Sequence, residues 1–549
     1  MRIPQVSALI ALSLASMCIP LAGCDEDPQG SALTRRRTGN KAGTGADDAA
    51  DDDGTDTGGT STGGKGTGTG GTSTGGTSTG GGTTKEPERE LALADGVRID
   101  RVSALQALTQ DLFKDGQRVA QRNVPLIQKR PTLVRVYASS MGTAPSSLEA
   151  RLTIEAAGAR VARLVQPVTL GAPREDLLTS TINFEISADQ LPAGATVSVG
   201  IFDTQKTQGA PAGSSPARFP ADGSFDALDL QRTGTMKIVV VPVRYNADGS
   251  GRMPDTSAAQ VELLKKTMFA RYPLEGVDLT VRAPLNWGQT VSAGGGGWGT
   301  LLNAVIALRA QDNVAQDVYY YGLFSPAQSF GAFCNGSCVA GLAPLNSNND
   351  TEMQASIGLG FTGADTASTM AHEIGHTHGR PHAPCGATAN DDPSFPYQNG
   401  GIGPFGYHII DKQLFSPARY RDMMSYCTPD WLSDYTYRQL LGRVKQVTKP
   451  LSASFSGALP MAHVFSVDAQ GNAEHLADTT ASLGAGTPLE LAERVAYVDD
   501  NGATVGETQG HMVKFDHLPG GYLIVPKAPA AAKVLDLGQG RRVRLRAQQ

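Results

Sequence analysis

The run Thr369-Met370-Ala371-His372-Glu373-Ile374-Gly375-His376-Thr377-His378-Gly379-Arg380-Pro381-His382 places four histidines within eleven residues, in a chain of 549 residues that has nine in all. Helical residues four apart emerge on one face a turn apart, so His372 and His376 present their imidazoles together, with Glu373 beside them. Two neutral imidazole nitrogens at that spacing hold one Zn²⁺. Gly379 lets the chain leave the helix through a positive φ, and the extended step stiffened by Pro381 brings His382 back as the third ligand, with the fourth position open to water. The competing reading is satisfied histidines on an ordinary helix; a chance match of the whole pattern is on the order of 10⁻⁵ per chain. His378, two residues from His376, falls on another side of the helix and reads as a surface or supporting residue. His408, His463, His475, His511 and His517 have no ligand spacing and read as structural.

Around this run the texture is α/β or α+β. Lys237 to Val243 is a continuous apolar strand, Val277 to Val281 another, and Ala258 to Tyr272 and Gly299 to Ala310 have helical spacing. A last helix is expected over Asp434 to Val447, with Ser433 as its N-cap. Together these define a central domain over 231–450. Upstream, 91–230 alternates in the manner of half-buried strands, as in Thr132 to Tyr137 and Leu148 to Ile154, and reads as an antiparallel β-sandwich without His or Cys. Downstream, 451–549 returns to short strands, with Asn501-Gly502 as a hairpin turn, and reads as a small β domain. The expected fold is therefore multidomain: an N-terminal β-sandwich, a central α/β domain and a small C-terminal β domain.

The remaining N-terminal residues carry export signals. Residues 1–23 have a short positive start, an apolar run too short to span a bilayer and a Leu21-Ala22-Gly23-Cys24 ending, the pattern of a lipoprotein signal peptide with Cys24 as the lipidated residue. Residues 24–90, with Gly-Gly-Thr-Ser-Thr recurring between Gly58 and Gly82, have almost nothing to bury and read as a disordered tether. The expected location is the bacterial cell envelope or cell surface, with the lipid as the only membrane anchor. Lys+Arg 47 against Asp+Glu 53 leaves a net charge of −6, which argues against nucleic acid as a partner.

With the three-histidine run goes a second segment, Arg421-Asp422-Met423-Met424-Ser425-Tyr426-Cys427. Together they resemble the metzincin zinc endopeptidases, whose three-His motif is followed by a Met-containing turn. The resemblance covers roughly 236–450, and in character is nearest to secreted bacterial lipoprotein and mucinase-type metzincins. Ala383, after the third histidine, fits none of the better-known branches. What the resemblance implies is a metzincin-like catalytic domain with one catalytic Zn²⁺ on His372, His376 and His382, Met424 beneath the metal, and Tyr426 as an extra ligand or oxyanion donor. Glu373 is then the base for a zinc-activated water, and Ser356 to Phe361 stands where these enzymes keep an edge strand that pairs with substrate, its other reading being a glycine-rich connecting loop. The implied activity is a surface-tethered zinc metalloendopeptidase acting on extracellular proteins or glycoproteins. The alternative is a zinc-containing surface adhesin that works through its β domains. If His382 and the Met-turn converge on one metal, their flanking cysteines are neighbours, so disulfides are expected at Cys385–Cys427 and Cys334–Cys338, in keeping with export.

Overall fold

Thr235–Tyr245 is the axis of the central sheet. Its apolar run is buried on both faces, Ile238 and Val240 in one core and Val241 and Val243 in another, while parallel strands pair its edges, Gly276–Val281 on one side and Val318–Phe324 on the other. Pro242 sits inside this strand without loss. On its outer side the Gly276–Val281 pairing ends at Val240 and the Leu285–Trp287 pairing begins at Val243, so the missing N–H falls in the gap between two partners. Val318–Phe324 is buried at every residue despite three consecutive tyrosines. Beyond it lies Ala355–Leu359, parallel, and then the two-residue strand Gly341–Leu342, antiparallel, as the outermost member.

Four long helices accompany this sheet: Ala258–Arg271, Trp298–Gln311, Ala364–Thr377 and Asp434–Val447. The last starts as expected, with the Ser433 hydroxyl accepting from Thr436 N at 3.0 Å. The Ala364–Thr377 helix lacks a capping side chain of its own. Instead Gln260 of the first helix bonds Gly363 through both amide atoms, at 2.9 and 3.1 Å. Ala367, Met370, Ala371 and Ile374 bury one face of that helix in the main core, and Tyr272 Oη donates to Ala371 O at 2.6 Å.

These coordinates come from a computed structural model that describes residues 90–207, 213–346, 350–386, 388–448, 461–480 and 492–546. The expected signal peptide, Cys24 and nearly all of the tether lie outside the described residues. The fold is multidomain and mostly β, with several sheets and few helices. Between Leu91 and Ala227, two antiparallel sheets share one apolar core that includes Val102, Leu152, Ile154, Phe184 and Val197. The C-terminal residues form a seven-stranded antiparallel sheet, with the expected turn at Asn501-Gly502 between Ala492–Val498 and Thr504–Lys514.

The N-terminal pair of sheets and the C-terminal sheet are each joined to the central region by specific contacts. Arg130, fully buried, donates to the carbonyls of Ala270, Tyr272 and Leu274 at 3.0–3.1 Å and lies over the Phe269 ring. Ala107 O accepts from both Tyr407 N and Trp431 Nε1. On the other side Val464, Val513, Phe515, Tyr522 and Ile524 of the C-terminal sheet share a core with Trp298, Leu301 and Val305.

Candidate metal centre

The Ala364–Thr377 helix carries His372 and His376 on one face, and their Nε2 atoms stand 3.0 Å apart. Gly379 has φ +74° and ends the helix as its position requires. His382 follows on an extended step that bridges to Asp391, and its ring centroid is 4.6 Å from that of His376. Each Nδ1 faces a backbone carbonyl: Met423 O at 2.7 Å for His372, Arg380 O at 2.5 Å for His376, and Ala389 O for His382. A carbonyl only accepts, so each Nδ1 bears the proton and each Nε2 keeps its lone pair. Burial lowers the pKa of His372 to about 3 and of His382 to about 4, and that of His376 well below the usual imidazole range. Three neutral rings therefore converge through their lone pairs.

The Met-containing turn lies against this set. Met424 is buried, and its sulfur packs so close to Gly375 that a Cβ there would stand 2.5 Å from it. Asp422, fully buried, accepts from Met424 N and Ser433 N, both at 2.8 Å, and so holds the turn to the start of the last helix. Ala383 N donates to Met424 O at 2.9 Å and Tyr426 N to Cys385 O at 3.1 Å. The turn and the third-ligand loop thus run side by side, and the disulfides Cys385–Cys427 and Cys334–Cys338 are both formed. Two disulfides fit an oxidising, extracellular environment. Among the described residues no helix is long and apolar enough to cross a membrane.

The Cys385–Cys427 bond closes a separation of 42 residues. Replacing both cysteines with serine is expected to destabilise the protein by about 3–4 kcal/mol in the chain-entropy model. Denaturant titration of the oxidised wild type against the double variant measures this. A difference below about 1 kcal/mol would show that the loop is held by other contacts.

Several expectations change. Ser356 to Leu359 forms a strand, but both its edges are paired, because Gly341–Leu342 lies outside it; the outermost backbone is that short strand. The sequence concealed it, since two residues carry no alternation. His378 is not at the surface. It is buried, stacked on Tyr319 at 4.9 Å between ring centroids, and its Nδ1 bonds Ile374 O.

The larger change concerns His517, which joins the site together with Asp516. Both lie in the turn between Thr504–Lys514 and Gly521–Pro526. His372, His376, His382, Asp516 and His517 offer ligand atoms that all lie within 4.8 Å of one another. Asp516 Oδ2 is 3.3 Å from His376 Nε2 and 2.9 Å from His517 Nε2, while Oδ1 accepts from Ala343 N at 3.0 Å. His517 Nε2 also donates to Glu373 Oε1 at 3.2 Å, and its Nδ1 meets the Tyr426 hydroxyl. Burial raises the Glu373 pKa well above the carboxyl range, and Asp516 adds to this. Burial alone would raise Asp516 and lower His517, but their mutual attraction, helped by His376 and Glu373, holds the carboxyl well below and the imidazole well above their usual ranges. The only sequence signal for this pair was an Asp-His dipeptide in the turn Phe515-Asp516-His517-Leu518-Pro519-Gly520, more than 130 residues beyond the ligand helix.

The donor set fits a metal. His382 Nε2, Glu373 Oε2 and Asp516 Oδ2 are buried without an aligned hydrogen-bond partner, and three lone-paired imidazoles beside a carboxylate could hold a metal ion. A tetrahedral ion about 2.0–2.1 Å from each donor sets donors about 3.3 Å apart, matching the 3.0 and 3.3 Å separations around His376. A cavity of about 700 Å³ opens beside it, lined among others by Ala340, Gly341, Thr369, His372, Glu373 and Tyr426.

A second cluster, His463, His475 and Asp478, is different. Ala528 N donates to His463 Nε2 and Arg546 N to His475 Nδ1, both at 2.9 Å, so the other nitrogen of each ring bears the proton and donates to Asp478. Neither imidazole keeps a lone pair for an ion, and the two histidines are structural as expected.

No family model matches the chain, and no curated protein matches it. Among solved structures, one titled "Crystal structure of putative beta-galactosidase from bacteroides fragilis" is 9% identical, covering 42% of this chain and 39% of its own, with a TM-score of 0.11. At that score the likeness carries no argument about fold.

Proposed function

We propose that this chain is a zinc-dependent endopeptidase of metzincin type that hydrolyses peptide bonds of extracellular proteins or glycoproteins. The observation that carries the reading is the convergence of three lone-paired Nε2 atoms with a buried glutamate beside the first of them, on the wall of a cavity large enough for several side chains. When bound, zinc supplies the acidified water and the polarised scissile carbonyl.

The protein residues supply the rest. Glu373 takes the proton of the attacking water and returns it to the leaving amine. Tyr426, 43% exposed on the cavity wall, is placed to donate its hydroxyl to the developing oxyanion once His517 releases it. The backbone around Gly341 offers an extended peptide an outer edge to pair with. Gly341 has no side chain because one would collide with the Glu373 carboxylate. A binding-only surface protein would need no carboxylate beside its metal.

Metal analysis and proteome-derived peptide libraries read by mass spectrometry test this. About one zinc per chain is expected, with internal peptide bonds cut in a chelator-sensitive way, and His382→Ala should lose both metal and cleavage. Cleavage that survives full removal of metal would sink the proposal.

A further inference from the structure

The catalytic reading above leaves the metal's fourth position for water, yet Asp516 stands there. Its carboxylate is fully buried, with Oδ1 fixed by Ala343 N and Oδ2 at a tetrahedral-edge distance from His376 Nε2. Four protein donors make a closed site, the arrangement of structural zinc, whereas hydrolytic zinc keeps one position open.

A second, independent observation concerns the backbone. Immediately beyond the outermost strand Gly341–Leu342, Leu345 N donates to Lys514 O at 2.8 Å, Asp516 N donates to Ala343 O at 3.2 Å, and Pro344 and Phe515 form an antiparallel bridge. Lys514 to Asp516 is therefore laid as an added strand along the continuation of the edge that borders the cavity. That is how an extended peptide engages an open sheet edge. The next residue, His517, holds both Glu373 and Tyr426, the two groups assigned to proton transfer and oxyanion binding.

We propose that the Asp516–Gly520 turn is a built-in plug: Asp516 is a removable fourth ligand of the zinc, the segment around it occupies one half of the substrate run, and the described conformation is a latent form. The strands on either side of the turn need not leave. They are anchored through Val513, Tyr522 and Ile524, which are buried in the core shared with Trp298, so the exchange requires only the Asp516–Gly520 turn to move. The release is a ligand exchange in which the carboxylate leaves the metal and a water, or the carbonyl of a peptide, replaces it; no covalent bond of the chain is broken.

The metal-ligand part of this inference rests on the three-histidine centre, and only its consequence for turnover rests on the peptidase reading. The experiment separates them. Full-length wild type, Asp516→Ala and Asp516→Asn are loaded with Co²⁺ and titrated with acetohydroxamate, followed by the visible absorption of the metal. Binding at least tenfold tighter in both variants is expected, with peptide cleavage by the zinc forms raised at least tenfold. Asp516→Asn keeps the shape of the turn should the alanine variant fold poorly. Equal hydroxamate affinity in wild type and variants would overturn the plug. So would variants that are folded by circular dichroism yet hold no metal, because Asp516 would then be a permanent ligand. Tighter hydroxamate binding with no peptide cut by any form would support the plug and overturn the peptidase reading alone.

Discussion

Glu373→Ala is expected to retain the metal and to lower peptide cleavage by about 10²–10⁴-fold, the range that a positioned general base contributes. Retention follows from geometry. The three Nε2 atoms are oriented by Met423, Arg380 and Ala389 carbonyls, none of which touches Glu373. Loss of turnover follows because Glu373 is the carboxylate on the cavity wall beside His372, where the attacking water must lose its proton. The comparison is best made twice, in the wild type and in Asp516→Ala, so that a low starting rate cannot conceal the loss. Zinc content is measured on the same samples. If Glu373→Ala cuts as fast as its parent in both backgrounds, the assigned base is wrong.

Arg130→Ala is expected to cost on the order of 4–5 kcal/mol of stability, since removing a buried charged donor leaves carbonyls unsatisfied at about 1–3 kcal/mol each. Arg130 is inaccessible to water and serves three carbonyls at and just beyond the C-terminal end of the Ala258–Arg271 helix, where a helix leaves its acceptors unpaired. Burial lowers its pKa to about 10, so the guanidinium is still charged at neutral pH. Arg130→Lys should recover only part of the loss, because one ammonium cannot span the same fork. Denaturant unfolding monitored by fluorescence and circular dichroism reports the difference. A cost below about 1 kcal/mol would mean that water or a neighbouring side chain replaces the missing donors.

The parts of this molecule that were legible in its sequence are those written in local spacing. His372 and His376 stand four apart on a helix, Gly379 ends it with the backbone angle that favours glycine, and Ser433 caps the last helix through its own side chain. The Cys385–Cys427 pairing followed from the expected convergence of two segments, and the segments do run together. What escaped was non-local. Asp516 and His517 reach the three-histidine cluster only because a strand of the C-terminal sheet docks beside Ala343, a pairing with no periodic trace in either segment. Gly341–Leu342 escaped for the same reason, and Val318–Phe324 because a strand buried throughout shows no in–out alternation.

The carbonyls that orient the three histidines belong to the main chain at positions 380, 389 and 423. Metal sites that depend on side-chain carboxylates for this purpose can be disabled by a single substitution at the supporting residue. Here a change of Arg380, Ala389 or Met423 alters a side chain but cannot delete the acceptor. The orientation of the three rings is thus insulated from point mutation at its supports, and sequence drift in the loops around them can proceed without a matching loss of their tautomers.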